Sequence, residues 1–234
     1  MDCEDISLNI SREHLQDSGV VNRLASVLTR RLIKFFNEEA RKDPAAFEEF
    51  FNEYGQFLKE GIVTESADRE NLAKLLRMES SKFEEGKLVS MEDYVSRMNE
   101  EQKEIYYVVG QKRSLCEGSP YMEHFKKNEL EVLYLYQNVD DWVMNSIGSF
   151  KGKKLKPIES AEIEKDEEEL PEEERAKIKD FNDWIRTELE DKVSSVKDTN
   201  RLTDTPAVII DHESIAYRRM MMQVDPKRMP KLPK

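Results

Sequence analysis

The sequence predicts a mixed, helix-rich α/β protein. Apolar residues recur at steps of three and four through most of residues 12–102, a spacing typical of amphipathic helices. A continuous apolar run follows at 105–109 and a second buried strand is predicted at 131–136, with a helical pattern between them and another after them. Such runs favour strands that are covered on both faces. The order strand, helix, strand, helix predicts a parallel pair with a right-handed crossover, in a small three-layer α/β/α unit.

The first half of the chain predicts four helices. A long helix runs from about Val20 to Asp43, after which Asp43-Pro44 supplies a cap and a first-turn proline for a second helix that stops at Gly61. Ser90 opens a short helix with a capping-box pattern. Between them, a further helix is predicted from the apolar residues Leu72, Leu75, Leu76 and Met78.

The second half predicts shorter elements. Helices are expected at 119–125 and 140–150, and an acidic linker that contains prolines, at 156–172, leads into a helix at 181–189. The last predicted elements are strands at 193–196 and 207–210 and a short helix at 215–222.

Composition narrows the class of function. The chain has 37 basic and 49 acidic residues and a net charge of −12, which argues against nucleic acid or an anionic membrane as the main partner. No apolar run approaches the ~20 residues that a membrane-spanning helix needs. The acidic start, MDCED, is unlike a basic signal or transit peptide. Cys3 and Cys116 allow at most one disulfide, which favours a reducing compartment.

The residues alone predict no self-contained active site. The three histidines, His14, His124 and His212, are scattered singly, so no metal site is expected. No serine has the surroundings of a catalytic nucleophile. The turn after the first strand, at Gly110, only faintly resembles a phosphate-binding loop, and a strand followed by glycine is far more often a plain turn.

Several segments together resemble the heat shock protein 90 family of chaperones. In chain order they are DISLNISREHLQ (5–16), IYY (105–107), SP (119–120), EVL (131–133), DDWVMN (140–145) and NRL (200–202). Two others, EGIVT (60–64) and AKLLRMESS (73–81), resemble the mitochondrial, tumour-necrosis-factor-receptor-associated branch. The resemblance therefore implies a mitochondrial matrix protein.

The resemblance implies a dimeric, ATP-driven chaperone of which this chain is a middle-to-C-terminal piece. The N-terminal domain of such a chaperone binds ATP with magnesium, so the piece alone is expected to be inactive. The implied domains are the end of a large α/β/α middle subdomain (1–42), a helical connector (43–103), a small α/β/α subdomain (104–155), the acidic linker (156–172) and a truncated α+β C-terminal domain (173–234).

The resemblance also assigns a catalytic role to Arg12. The arginine reaches the γ-phosphate of ATP held by the N-terminal domain, and Asn9 and Gln16 support its loop. A planar, permanently charged guanidinium suits that task. From spacing alone, Arg12 would be an exposed helix-start arginine paired with Glu13 or Asp17.

A second implied site binds client proteins through Asp141, Trp142 and Asn145, which Met221 and Met222 could extend. Trp142 and Asn145 share a helix face, and flexible thioethers suit promiscuous binding. As alternatives, Trp142 caps the small core and the methionines form a seam to dimerisation helices.

Two further classes of function stay open at this point. One is a free-standing α/β enzyme that uses the turn at Gly110, and the other is a helical scaffold that mediates protein contacts without an ATPase role. Nucleic acid and membrane are not expected partners.

Overall fold

The computed structural model describes residues 19–64, 67–161 and 171–210. Up to the second strand, its elements are α1 (Gly19–Lys42), α2 (Pro44–Thr64), α3 (Arg69–Ala73), β1 (Met78–Ser80) and β2 (Leu88–Val89). Then come α4 (Met91–Arg97), β3 (Glu104–Val109), α5 (Arg113–Glu117), α6 (Met122–Lys127), β4 (Val132–Leu135) and α7 (Val139–Ile147). The remaining elements are β5 (Ser149–Phe150), β6 (Lys153–Pro157), a 3-10 turn (Ile158–Ser160), α8 (Glu172–Leu189) and a second 3-10 turn (Glu190–Lys192).

The two long helices are confirmed and pack on each other. The Asp43 carboxylate accepts a hydrogen bond from the Ala46 N–H at 3.1 Å, so it caps α2 as predicted. The predicted stop at Gly61 is wrong, because α2 continues to Thr64 and buries Ile62 completely. Arg69 then donates to the carbonyls of Ile62 and Val63, which satisfies acceptors that the end of α2 leaves open.

The helix predicted from Leu72 to Met78 is mostly wrong, because only Leu72 of its four apolar residues lies in a helix. It ends at Ala73 as α3, and Met78 begins the buried strand β1. Glu79 and Ser80 pair antiparallel with β4, while β2 pairs with the other edge of β1. A short apolar run does not distinguish a buried strand from a helix. Here the segment becomes a strand because it pairs with both β2 and β4.

The sheet has six strands in the order β2-β1-β4-β3-β6-β5. The predicted parallel pairing of β3 with β4 is confirmed, and β6 lies parallel to the other side of β3. The helix predicted to Phe150 ends at Ile147, because Gly148 adopts a positive φ of 66° and β5 starts the next hairpin. The sheet thus extends into residues 78–89 and 149–157, and the domain boundaries given above stay predictions.

Helices cover the sheet on both faces, which confirms the three-layer arrangement. Alternate residues of β3 and β4, such as Tyr107 and Leu133, join the core formed with α2, α3, α4 and α7. Their neighbours, such as Val108 and Tyr134, join a smaller core with α5 and α6. Alternation with apolar residues on both faces explains why these strands read as unbroken apolar runs.

The C-terminal described region differs from its prediction. The predicted helix is confirmed as α8, which buries none of its side chains. The strands predicted at 193–196 and 207–210 are wrong, since neither range forms a strand. The backbone N–H groups at 203–205 bind the Glu123 carboxylate on α6 instead of a neighbouring strand. The helix predicted at 215–222 lies outside the described residues. Across the described ranges, no helix combines the length and apolar character needed to cross a membrane.

Candidate functional site

The second half of α2 and the first turn of α7 lie side by side and are joined by a buried ion pair. The Lys59 ammonium lies 2.7 Å from the Asp140 carboxylate, and the two side chains are 12% and 3% exposed. Gln137 binds both partners: its side-chain oxygen accepts from Lys59 at 3.0 Å, and its N–H donates to Asp140 at 3.0 Å. Asp140 therefore binds the backbone just before the start of α7. The helix dipole also favours a negative charge at this position.

An open, mostly apolar groove of about 370 Å³ lies beside this ion pair. Trp142 stands at its rim with 42% of its surface exposed, so Trp142 does not cap the core. Asn145 is also exposed, one turn further along α7. The groove is lined by Gln56, Glu60, Val63 and Thr64 of α2 and by Asn138, Val139 and Trp142.

Asp141 does not join this surface. Its side chain is buried, and its carboxylate lies 3.5 Å from the Tyr107 hydroxyl on the sheet. Burial, followed by the charge of Asp141, raises the pKa of Tyr107, which keeps the phenol protonated. Asp141 thus links α7 to Tyr107 of the sheet beneath it. The prediction that Asp141 contacts a client directly does not fit this buried position.

The α2 wall of the groove was missed by the sequence reasoning. Gln56, Glu60 and Val63 follow one another at helical spacing, so they share one face of α2. That periodicity was readable from the sequence. The helix that packs beside this face could not be read from the sequence, because the pairing of α2 with α7 brings together residues about eighty positions apart in the chain.

The remaining predicted site residues lie outside the described ranges. Asn9, Arg12 and Gln16 precede the first described residue, Gly19, and they lie outside the described ranges. Met221 and Met222, the proposed extension of the client surface, also lie outside these ranges.

Gly110, in the turn after β3, serves the sheet and its packing rather than a phosphate. The Gly110 N–H donates to the Leu135 carbonyl at 2.9 Å, so it is already used by the sheet. A Cβ atom at Gly110 would overlap the buried Cys116 sulfur, which explains the glycine by packing. The geometry at Gly110 therefore gives no support to a free-standing enzyme that uses this turn.

Two ionic networks fix the β1–β2 hairpin beside the rest of the sheet. Glu79 accepts from Tyr136 at 2.7 Å, from Arg113 at 3.0 Å and from the Gly86 N–H at 3.0 Å. Burial would raise the pKa of the Glu79 carboxyl, but these hydrogen bonds outweigh burial and lower it. In the second network, Arg97 binds Glu131 through two nitrogens, at 3.0 and 2.6 Å, and Glu131 also accepts from the Ser80 hydroxyl of β1.

The chain was compared with known proteins. A family model described as "Hsp90 protein" matches residues 1–225. The chain is 43% identical to the mitochondrial TNF receptor-associated protein 1 homolog of Dictyostelium discoideum, over 100% of this chain and 34% of that protein. It is 41% identical to the chaperone protein HtpG of Desulfitobacterium hafniense, over 96% of this chain and 37% of that protein.

A third relative is the mitochondrial heat shock protein 75 kDa of Rattus norvegicus, at 40% identity over 94% of this chain and 33% of that protein. The chain therefore spans about a third of the length of the curated relatives that it matches. A family match that covers nearly the whole chain decides the assignment that the segments above suggested. The chain belongs to the heat shock protein 90 family.

Proposed function

We propose that this chain is the middle-to-C-terminal part of an ATP-dependent molecular chaperone. The single observation that carries the proposal is the family match over residues 1–225, which includes the motif at 5–16. The relatives that it resembles are named as chaperone and heat shock proteins. On this proposal, the chain contributes an arginine to ATP hydrolysis and a surface to client binding, and it has no ATPase activity by itself.

In the proposed ATPase, Arg12 contacts the γ-phosphate of ATP that is bound by a nucleotide domain elsewhere in the longer protein. A guanidinium can donate two parallel hydrogen bonds to phosphate oxygens and keeps its charge at any physiological pH. Asn9 and Gln16 hold the loop. ATP and magnesium would be carried by the other domain; within the described residues, no three acidic, histidine or cysteine side chains are grouped to hold a metal ion.

The arginine is tested in a protein that joins this chain to its nucleotide domain. Arg12→Ala should lower kcat by about 10³-fold or more, in the range known for arginines supplied from outside a nucleotide site, with little change in nucleotide affinity. Arg23→Ala is the matched control, because Arg23 is an exposed arginine on the following helix. An Arg12→Ala protein that hydrolyses ATP at the normal rate would remove the catalytic role.

The client surface is proposed to be the groove between α2 and α7, with Trp142 and Asn145 at its α7 side. An exposed tryptophan beside an apolar groove with a few polar groups suits side chains of partly folded proteins. Asp141 contributes by holding α7 in place. Met221 and Met222 extend this surface in the proposal.

The chain supplies a matched pair of tryptophans for the test. Trp142 lies at the groove, whereas Trp184 is 58% exposed on α8 and lines no part of the groove. Trp142→Ala should weaken binding of a reduced, unfolded client by about tenfold or more, as expected for an aromatic hot spot. Trp184→Ala should leave the affinity unchanged. Equal losses in both variants would contradict a site at α7.

We also propose that the longer protein is a homodimer of the mitochondrial matrix. Two of the relatives above carry "mitochondrial" in their names, which supports the compartment. Fractionation of cells that express the full-length protein tests the location, and sedimentation of that protein tests the dimer.

A scaffold that mediates protein contacts without an ATPase role is the second candidate. It is favoured by the exposed aromatic and aliphatic side chains on α1 and α2, among them Leu32, Phe35 and Phe57. A normal hydrolysis rate in Arg12→Ala, combined with client binding that ignores nucleotide, would support the scaffold over the chaperone ATPase.

A further inference from the structure

The last described stretch, residues 199–210, forms a strap that crosses the α6 side of the molecule. It has neither helix nor strand, and side chains hold it at both ends. Near its start, the buried Arg201 donates to the carbonyls of Ile158 and Glu159, and its guanidinium lies 5.2 Å from the Tyr121 ring. Near its end, the Tyr121 hydroxyl donates to the Ile209 carbonyl.

At the centre of the strap, one carboxylate on α6 gathers five donors. Glu123 accepts from the backbone N–H groups of Thr203 at 2.6 Å, Asp204 at 3.0 Å and Thr205 at 3.4 Å. It also accepts from the Thr203 hydroxyl at 3.3 Å and from the Thr205 hydroxyl. The hydrogen bond from the Thr205 hydroxyl makes the largest contribution to lowering the pKa of Glu123. Together with the other bonds it lowers this pKa to about 2. The strap is therefore a backbone nest that is filled by one negative charge.

The residue after Thr205 is Pro206, and this pair makes Thr205 a candidate for chemical modification. Proline restricts the residue before it to an extended backbone, and it has no N–H that the strap could use. Threonine followed by proline in a segment without helix or strand is the acceptor pattern of proline-directed protein kinases. We propose that Thr205 is a phosphorylation site and that its modification releases the strap from α6.

The reaction and its effect follow from the contacts. A kinase transfers the γ-phosphoryl group of ATP to the Thr205 oxygen, the hydroxyl proton passes to the base of the kinase, and ADP leaves. The modified oxygen has no hydrogen left to donate to Glu123. The new group carries a charge of about −1.5 to −2 beside the Glu123 carboxylate, and the two like charges repel each other. The repulsion between the phosphate on Thr205 and the Glu123 carboxylate pushes the strap away from α6.

Release of the strap would also uncover the smaller core. Val208 packs against the cluster that contains Tyr121, Met122 and Phe125. A detached strap therefore exposes apolar surface on the α5–α6 side, opposite to the groove at Trp142. The inference does not depend on the ATPase or client assignments, because it uses only contacts within residues 121–209.

The first experiment asks whether the folded chain is a substrate. The 234-residue protein is incubated with a proline-directed kinase and ATP, and the modified residue is located by mass spectrometry. We expect a phosphate at Thr205 that is absent from Thr205→Ala and strongly reduced in Pro206→Ala; any phosphate at Ser119, which Pro120 follows, is distinguished by its position. A peptide of residues 199–210 serves as the control for kinase activity. Modification of the peptide but not of the protein would overturn the proposal.

The second experiment measures amide hydrogen exchange at 203–205. Phosphorylation should speed exchange there by at least about tenfold, since one hydrogen bond to a charged group is worth about that factor or more. In Glu123→Gln the nest holds no charge, so the unmodified strap should already exchange faster and phosphorylation should add less than about threefold. Unchanged exchange in phosphorylated wild-type protein would refute the release.

Discussion

Removing one partner of the ion pair between Lys59 and Asp140 should lower the stability strongly, because it leaves the other charge buried without a counter-ion. The charged atoms of the pair lie 2.7 Å apart, in side chains that are 12% and 3% exposed. Asp140→Asn removes the carboxylate charge but keeps an oxygen for the Gln137 N–H. The lysine left without a counter-ion should lower the free energy of unfolding by about 3 kcal/mol, the lower end for buried pairs, because its partial exposure lets the ammonium reach water.

A double-mutant cycle isolates the interaction between the two residues. Lys59→Met, Asp140→Asn and the double variant should give a coupling energy of about 2 kcal/mol, because the double variant buries no unpaired charge. The surface pair Lys34 and Glu38 on α1 is the matched control, with 3.9 Å between its atoms and exposures of 79% and 52%. Its coupling should be only about 0.3 kcal/mol.

Urea unfolding followed by circular dichroism measures both cycles, at low salt and at about 1 M salt. The coupling between Lys59 and Asp140 should persist at high salt, because a buried pair is poorly screened, whereas that of the surface control should vanish. A Lys59–Asp140 coupling as small as that of the control, or one that salt abolishes, would refute the reasoning.

Three other changes give definite expectations. Ile62→Ala should lower the free energy of unfolding by about 2–5 kcal/mol in urea titrations, because Ile62 is fully buried. Gly110→Ala should cost about 1–3 kcal/mol through its overlap with Cys116, and Cys116→Ala should recover most of that loss in the same assay. The pKa of Glu79 is lowered in the folded state, so its stabilisation is present above the ordinary carboxyl pKa and is lost as pH falls through the lowered value. The melting temperature of Glu79→Gln should accordingly fall less than that of wild type on acidification from about pH 5 to pH 3.

The sequence predicted the elements whose apolar pattern is long or continuous. Periodicity over three or more turns indicated α1 and α2, and uninterrupted apolar runs indicated β3 and β4. The parallel pairing followed from their order along the chain. In each case the local pattern and the tertiary packing favour the same structure.

The missed strands lack any local signal. β6 reads KKLKP, and its lysines and proline predict a loop, yet its backbone pairs with β3 on one side and with β5 on the other. The outermost strands, β2 and β5, are two residues long, which limits the unpaired edge they expose. Strands this short are specified by their neighbours rather than by their own residues.

Tertiary contacts also determine the positions of the two acidic residues in the first turn of α7, and the sequence does not reveal these contacts. From sequence, both Asp140 and Asp141 are exposed acids in the first turn of a helix, where the helix dipole favours them. In the fold, each is buried with a different partner, Lys59 of α2 or the Tyr107 hydroxyl of β3. No local pattern identifies those partners, because they come from elements that are distant in the chain.

The groove and the ion pair are two consequences of one packing arrangement. α2 and α7 lie on the same face of the sheet, and the pair occupies the place where apolar side chains would otherwise close the gap between them. The groove begins at the next residues along each helix, Glu60 on α2 and Val139 on α7. Apolar replacement of both charges could preserve stability. It would also remove the polar contact that holds the helices in register beside Trp142, so a variant with apolar residues at both positions should keep its stability but bind clients more weakly.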